Sequence, residues 1–185
     1  MQTTQYTELV LQELQRTAAL VRDEEAEQLV NGILSANKVF VAGAGRSGFM
    51  AKCFVMRMMH MGLDPYIVGE TVTPNLEEGD IFIIGSGSGE TKSLVAMAEK
   101  AKNIGATVAA VTIFPNSTIG DLADIVIEIP AQAKSGVDTG NKSIQPMGSL
   151  FEQSLLLFYD SIILRFMEKK GMDSDKMYGR HANLE

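Results

Sequence analysis

Hydrophobic positions along this chain recur at helical steps up to residue 36 and change pattern beyond it. Leu9, Val10, Leu14, Ala18 and Val21 recur at steps of three and four residues. After a break near Arg22-Asp23 the same steps return in Ala26, Leu29, Val30, Ile33 and Leu34. Such spacing lays an apolar stripe along one side of a helix. It predicts two amphipathic helices ahead of any strand, with stripes that need a surface to cover them. From residue 38, short β-branched runs alternate with helical stretches. Strands are expected over 38–42, 65–68, 80–84, 106–112 and 124–128, and helices over 47–61, 90–103 and 149–169. Strand alternating with helix implies a parallel sheet with helices on both faces. The strands are nearly all apolar, as double coverage requires. The expected fold is a three-layer α-β-α sandwich on a five-stranded parallel sheet. Residues 1–36 form a helical lead, 37–172 the main domain and 173–185 a tail.

Composition narrows the partners. Sixteen Lys plus Arg stand against 23 Asp plus Glu, a net charge of −7, and no basic cluster offsets it. That balance argues against a general nucleic-acid binder. One Cys excludes a disulfide scaffold and a Cys-based zinc site, and two His leave little for another metal cage. No apolar run reaches the roughly 18 residues of a membrane span. The longest, 155–164, contains Asp160, and the first residues lack the basic stretch and apolar run of a secretory signal. The expectation is a cytoplasmic protein that needs neither metal nor cofactor.

Ligands of such sheets sit beyond the carboxyl ends of the strands. The first strand runs into Gly43-Ala-Gly-Arg-Ser-Gly48, which fits G-x-G-x-x-G, and Glu70 follows 22 residues after Gly48. Three readings fit this turn: an anion-binding loop, a dinucleotide site with Glu70 on a ribose hydroxyl, and a tight turn that merely favours glycine. The third strand runs into Gly85-Ser-Gly-Ser-Gly-Glu-Thr91. Here hydroxyls are spaced by glycines at the start of a helix, where backbone N–H groups and the helix dipole favour an anion. An N-cap at Ser88 would explain one hydroxyl, not three. A dinucleotide fold needs no second loop of this kind, so the ligand implied is smaller.

These two turns resemble those of the sugar isomerase (SIS) family. Gly69-Glu70, Pro74, Leu150-Phe-Glu152-Gln153 and the terminal Arg180-His-Ala-Asn-Leu-Glu185 carry the resemblance further, toward the 6-phospho-3-hexuloisomerases within it. The resemblance implies a flavodoxin-like sheet, a homotetramer, and interconversion of D-arabino-3-hexulose 6-phosphate and fructose 6-phosphate. That step follows formaldehyde fixation in the ribulose monophosphate pathway, so the chain would be coupled to a hexulose-phosphate synthase. It also implies that Ser47 and the stretch Ser86, Gly87, Ser88, Gly89, Glu90 and Thr91 hold the phosphosugar, and that Glu152 accepts the proton.

Moving a carbonyl between neighbouring carbons asks for one base, a shuttle between two oxygens and a clamp on the distant phosphate. Glu152 has a structural alternative, because Ser149-Leu-Phe-Glu152 spells a capping box. Against that, the 19-residue polar stretch 131–149 delivers it, and loops of that length are usually functional or disordered. His181 offers an imidazole near neutrality for the shuttle, in a tail that in this superfamily can enter a neighbour's site. Arg46 either pairs with phosphate or a sugar oxygen or lies on the surface, and Glu70, without the nucleotide reading, is a partner for a sugar hydroxyl. His60, late in its helix, is expected to be packed rather than a ligand. Five of the 11 Met fall within 50–61, a stripe that suits core or subunit interface. Three functions remain open on the residues: a phosphosugar isomerase of this or another SIS type, a non-catalytic phosphosugar sensor, and a nucleotide-linked oxidoreductase.

Overall fold

The structure is a computed structural model that describes residues 1–137 and 139–184; Glu185 of the tail motif lies outside the described residues. Five parallel strands form one sheet: β1 (Val39–Gly43), β2 (Pro65–Ile67), β3 (Ile81–Gly85), β4 (Thr107–Thr112) and β5 (Ile125–Glu128). Their order is β2-β1-β3-β4-β5. Successive residues on each strand point to opposite faces, and both faces are apolar. Val39, Val41, Ile81, Ile83, Ala109 and Val111 join one buried cluster; Phe40, Ala42, Phe82, Ile84, Val108 and Ala110 join the other.

Helices α2 (Asp23–Ser35), α3 (Arg46–His60) and α6 (Ser149–Lys170) cover the first face, and α4 (Lys92–Ile104) with the short α5 (Thr118–Leu122) covers the second. Helix α1 (Thr3–Ala18) packs on α6, and α7 (Ser174–Tyr178) carries the tail back toward α3. The expected strands and long helices all form, within one or two residues of their expected ends. Helices α5 and α7 are additions. Each is one turn, too short for a periodic signal, but each starts on a side-chain cap, Ser117 accepting from Gly120 N and Asp173 accepting from Lys176 N.

Strand β5 lies at the sheet edge, where an unpaired N–H would invite another chain. Glu25 of α2, 8% exposed, accepts the Glu128 N–H at 2.9 Å and closes that position. The strand order places the switch point between β1 and β3, where the chain turns to opposite sides of the sheet. Gly43 and Gly85 are register partners there, so both glycine loops leave the sheet side by side. Among the described residues no helix is long and apolar enough to cross a membrane.

Candidate active site

A pocket of about 430 Å³ opens at this switch point. One wall is the pair of loops after β1 and β3. Gly43 and Gly48 need no ligand to explain them. A Cβ on Gly48 would meet the Gly43 carbonyl oxygen at 2.7 Å, and one on Gly43 would meet Ser47 and Gly48 backbone at about 3.0 Å. The glycine spacing is therefore used by the turn itself. Glu70 pairs with Lys52 at 2.6 Å, beside a separate shallow cavity, rather than facing the pocket.

The loop after β3 is held by main chain. Ser86 N donates to Val111 O at 3.0 Å, and Gly89 N donates to both Ser86 O and Ser86 Oγ at 3.2 Å. Gly89 has φ +63°, and a Cβ there would overlap Ser117, the cap of α5. Ser47, Ser86, Gly87, Ser88 and Thr91 all line the pocket. Thr91 is the N-cap of the 13-residue α4, which aims its free N–H groups and positive dipole end at the cavity. Ser88 is not that cap; its Oγ accepts from Glu90 N at 3.2 Å. Gly89 and Glu90 support this wall from behind. The Glu90 carboxylate accepts from Thr118 N and Thr118 Oγ1, both at 2.8 Å. Those bonds hold its carboxyl below the usual range.

The other wall is Glu152, Phe151 and Gly148 at the start of α6, with Ala133, Lys134 and Ser135 from the stretch before it. The capping box suggested by Ser149 and Glu152 does not form. Gly148 is the N-cap, so Ser149 already lies inside the helix, and its Oγ donates to Pro146 O at 2.8 Å. Glu152 is free to turn to Arg46, whose Nη1 donates to Glu152 Oε2 and to Ser149 Oγ, each at 3.0 Å. Arg46 thus fixes the direction of the carboxylate instead of standing in the cavity. The Glu152 side chain keeps 19% of its exposure, accessible to a ligand yet mostly enclosed.

His181 is not brought to this pocket within its own chain. It stacks on His60 with ring centroids 5.4 Å apart and lies near Tyr178. His60 ends α3, whose first residue is Arg46, so the imidazoles sit about 20 Å from the pocket, toward the amino ends of the strands. His60 itself is 4% exposed. Burial, with Arg57 and His181 close by, lowers its pKa, which fits a packed histidine. The methionine stripe divides: Met58 and Met61 are core, while Met56 and Met59 face outward on α3. Among the described residues no group of three or more His, Cys, Asp or Glu is placed to hold a metal ion. Reading the sequence by motif missed Lys134 and Ser135; the length of their loop was the only signal.

Comparison with known proteins gives the chain's relatives. The SIS domain model matches residues 32–157. The chain is 58% identical, over the full length of both, to the 3-hexulose-6-phosphate isomerase of Bacillus subtilis (strain 168). It is 42% identical to the enzyme of that name from Mycobacterium gastri, covering 96% of this chain and 88% of that one. A crystal structure from Methanococcus jannaschii, from which a molecular function of 3-hexulose-6-phosphate isomerase was inferred, superposes with a TM-score of 0.86. It shares 33% identity and covers 98% of this chain and 99% of that one.

Proposed function

This chain belongs to the SIS domain family, and on that footing we propose that it interconverts D-arabino-3-hexulose 6-phosphate and fructose 6-phosphate. The observation that carries the reading is a single enclosed carboxylate, Glu152, facing a cradle of hydroxyls and a helix N-terminus across one pocket. The full-length likeness to enzymes of this activity supports it.

The phosphate binds at Ser86, Ser88 and Thr91, against the α4 N-terminus, with Ser47 beside them. Remote binding of that dianion orients C2 and C3 against Glu152. Glu152 takes the proton from C2, giving an enediol with a C2–C3 double bond, and returns it to C3. The O2 proton leaves as the C2 carbonyl forms, and O3 gains one. Arg46, itself anchored on Ser149, holds the carboxylate so that the same oxygen serves both carbons. Gly87 lets the loop approach the anion, Gly89 lets it turn against Ser117, and Glu90 braces it through Thr118. A shuttle role for His181 requires the site of a neighbouring copy, given its distance from its own.

Assembly into a homotetramer is part of this reading. Phe49, Cys53 and Met56 form an outward stripe on α3, at helical spacing, and Leu157 and Leu164 form another on α6. Residues 37–172 act as the isomerase body, with 1–36 and 173–185 as flanking parts. The protein works in the cytoplasm, receiving its substrate from a hexulose-phosphate synthase.

The test feeds purified protein with that synthase's product and measures fructose 6-phosphate. No product, together with retained binding of the phosphosugar, would convert the reading into that of a sensor. Saturable binding of NADH or NADPH would instead revive the oxidoreductase.

A further inference from the structure

Glu13 is an acid 4% exposed in the middle of an amphipathic helix, which is costly unless its charge is met. Every partner it has on the far side comes from one loop 130 residues away. Ser143 Oγ donates to it at 2.6 Å, Ile144 N at 2.7 Å and Gln145 Nε2 at 3.1 Å. Burial pushes its pKa up, but those three bonds and nearby Arg16 outweigh it, and the carboxyl stays below its usual value. One turn on, Thr17 Oγ1 donates to Pro130 O at 3.1 Å, where the same loop begins.

From these contacts two chains of hydrogen bonds lead to the pocket. Ser143 N donates to Gln132 Oε1 at 2.7 Å, two residues before Lys134. On the other side Gln145 precedes Pro146, whose carbonyl accepts from Ser149 Oγ, which in turn accepts from Arg46, the partner of Glu152. Helix α1 lies outside the sheet layers, yet it holds both ends of one pocket wall.

We propose that Glu13 is a positioning residue for the isomerisation: it fixes residues 143–145 and, through Ser143, Gln132, and so sets where Lys134 and the Ser149-Arg46-Glu152 chain stand. The inference rests on reading the pocket as the phosphosugar site. A glutamine at 13 keeps the shape but turns an NH₂ toward donors, so the loop loosens while the sheet core is untouched.

The experiment compares wild type, Glu13→Gln and Ser143→Ala in the isomerase assay, with thermal melting and amide hydrogen exchange on the same samples. Expected are a fall in kcat/KM of about tenfold to a hundredfold, faster exchange confined to 139–147, and near-unchanged exchange in β1, β3 and β4. Ser143→Ala removes a bond from the loop side without altering α1, so it decides the matter should Glu13→Gln fail to fold. Active wild type with kinetically normal variants overturns the proposal. So does an activity loss matched by exchange throughout the sheet, which is what a merely structural role would give. Inactive wild type would sink the underlying reading instead, while localised exchange in 139–147 would still report on the tether.

Discussion

The two walls of the pocket are built on opposite plans. The cradle after β1 and β3 comes from two short stretches, 43–48 and 85–91, and main-chain contacts hold it: Gly43 beside Gly85 in register, Ser86 N on Val111 O, Gly48 against the Gly43 carbonyl. Among its described residues the wall before α6, 131–148, has no helix or strand, and side chains from elsewhere hold it: Glu13, Thr17 and Arg46. A ligand's fixed charge suits the first plan. A reacting centre that must be approached, enclosed and released suits the second, because a wall held by a few side-chain bonds opens at lower cost than a strand loop.

The sharpest way to break this comparison is at Glu152. Glu152→Gln should lower kcat by about 10²- to 10⁴-fold, the range of a lost general base. Calorimetric binding of fructose 6-phosphate should stay near that of wild type, because the cradle is intact. A Gln variant with near-full turnover would remove the second wall from the chemistry.

The complementary change is Ser88→Ala with Thr91→Ala. Hydrogen bonds to charged groups are worth about 1.5 kcal/mol at the low end, so two predict a KM raised roughly a hundredfold. The Thr91 side chain makes no capping bond to α4 and Ser88 gives up only an exposed bond from Glu90 N, so melting should hardly move and the loss can be read as binding. An unchanged KM would move the phosphate out of the cradle.

The division of labour also explains what was legible in the chain. Every strand and long helix could be read, the strands as short apolar β-branched runs, the two leading helices by their own period and the later ones from the stretches that follow strands, and the cradle because glycines and hydroxyls at strand ends have a local reason. Arg46 was visible but ambiguous, since what it does depends on Glu152, 106 residues away. The capping-box reading of Ser149 failed because Gly148 took the N-cap and tertiary partners claimed both side chains. Glu13 and Lys134 were illegible for the same cause. Their neighbours are set by packing of α1 against α6 and by a loop path that no local pattern encodes. His181 was placed by resemblance, and the chain alone carries it to the far end of α3.

Lys134 tests the second wall from its exposed side. It is exposed on the pocket rim, so its attraction to a phosphosugar is screened by salt. Lys134→Ala should raise KM by roughly threefold to tenfold at low ionic strength, with kcat kept and the difference shrinking in high salt. A change in kcat without KM would instead put the lysine beside the reacting carbons.

The smallest effect separates the walls by acid. The Glu13 pKa is held below its ordinary value of 4.5, so the unfolded or released carboxyl binds protons more readily than the docked one. Its contribution is complete above about 4.5 and is lost as pH falls through the lower, docked pKa. Protonation costs Ile144 N a charged acceptor, whereas Ser86 N keeps a main-chain carbonyl, Val111 O. The cradle's own carboxylate, Glu90, is exposed and braces α5. Exchange protection, corrected for the intrinsic pH dependence, should therefore weaken at Ile144 before Ser86 as pH drops below 4.5. In Glu13→Gln the Ile144 amide should be poorly protected at every pH and show no such step. Parallel loss at both amides in wild type would mean that the two walls share one anchor after all.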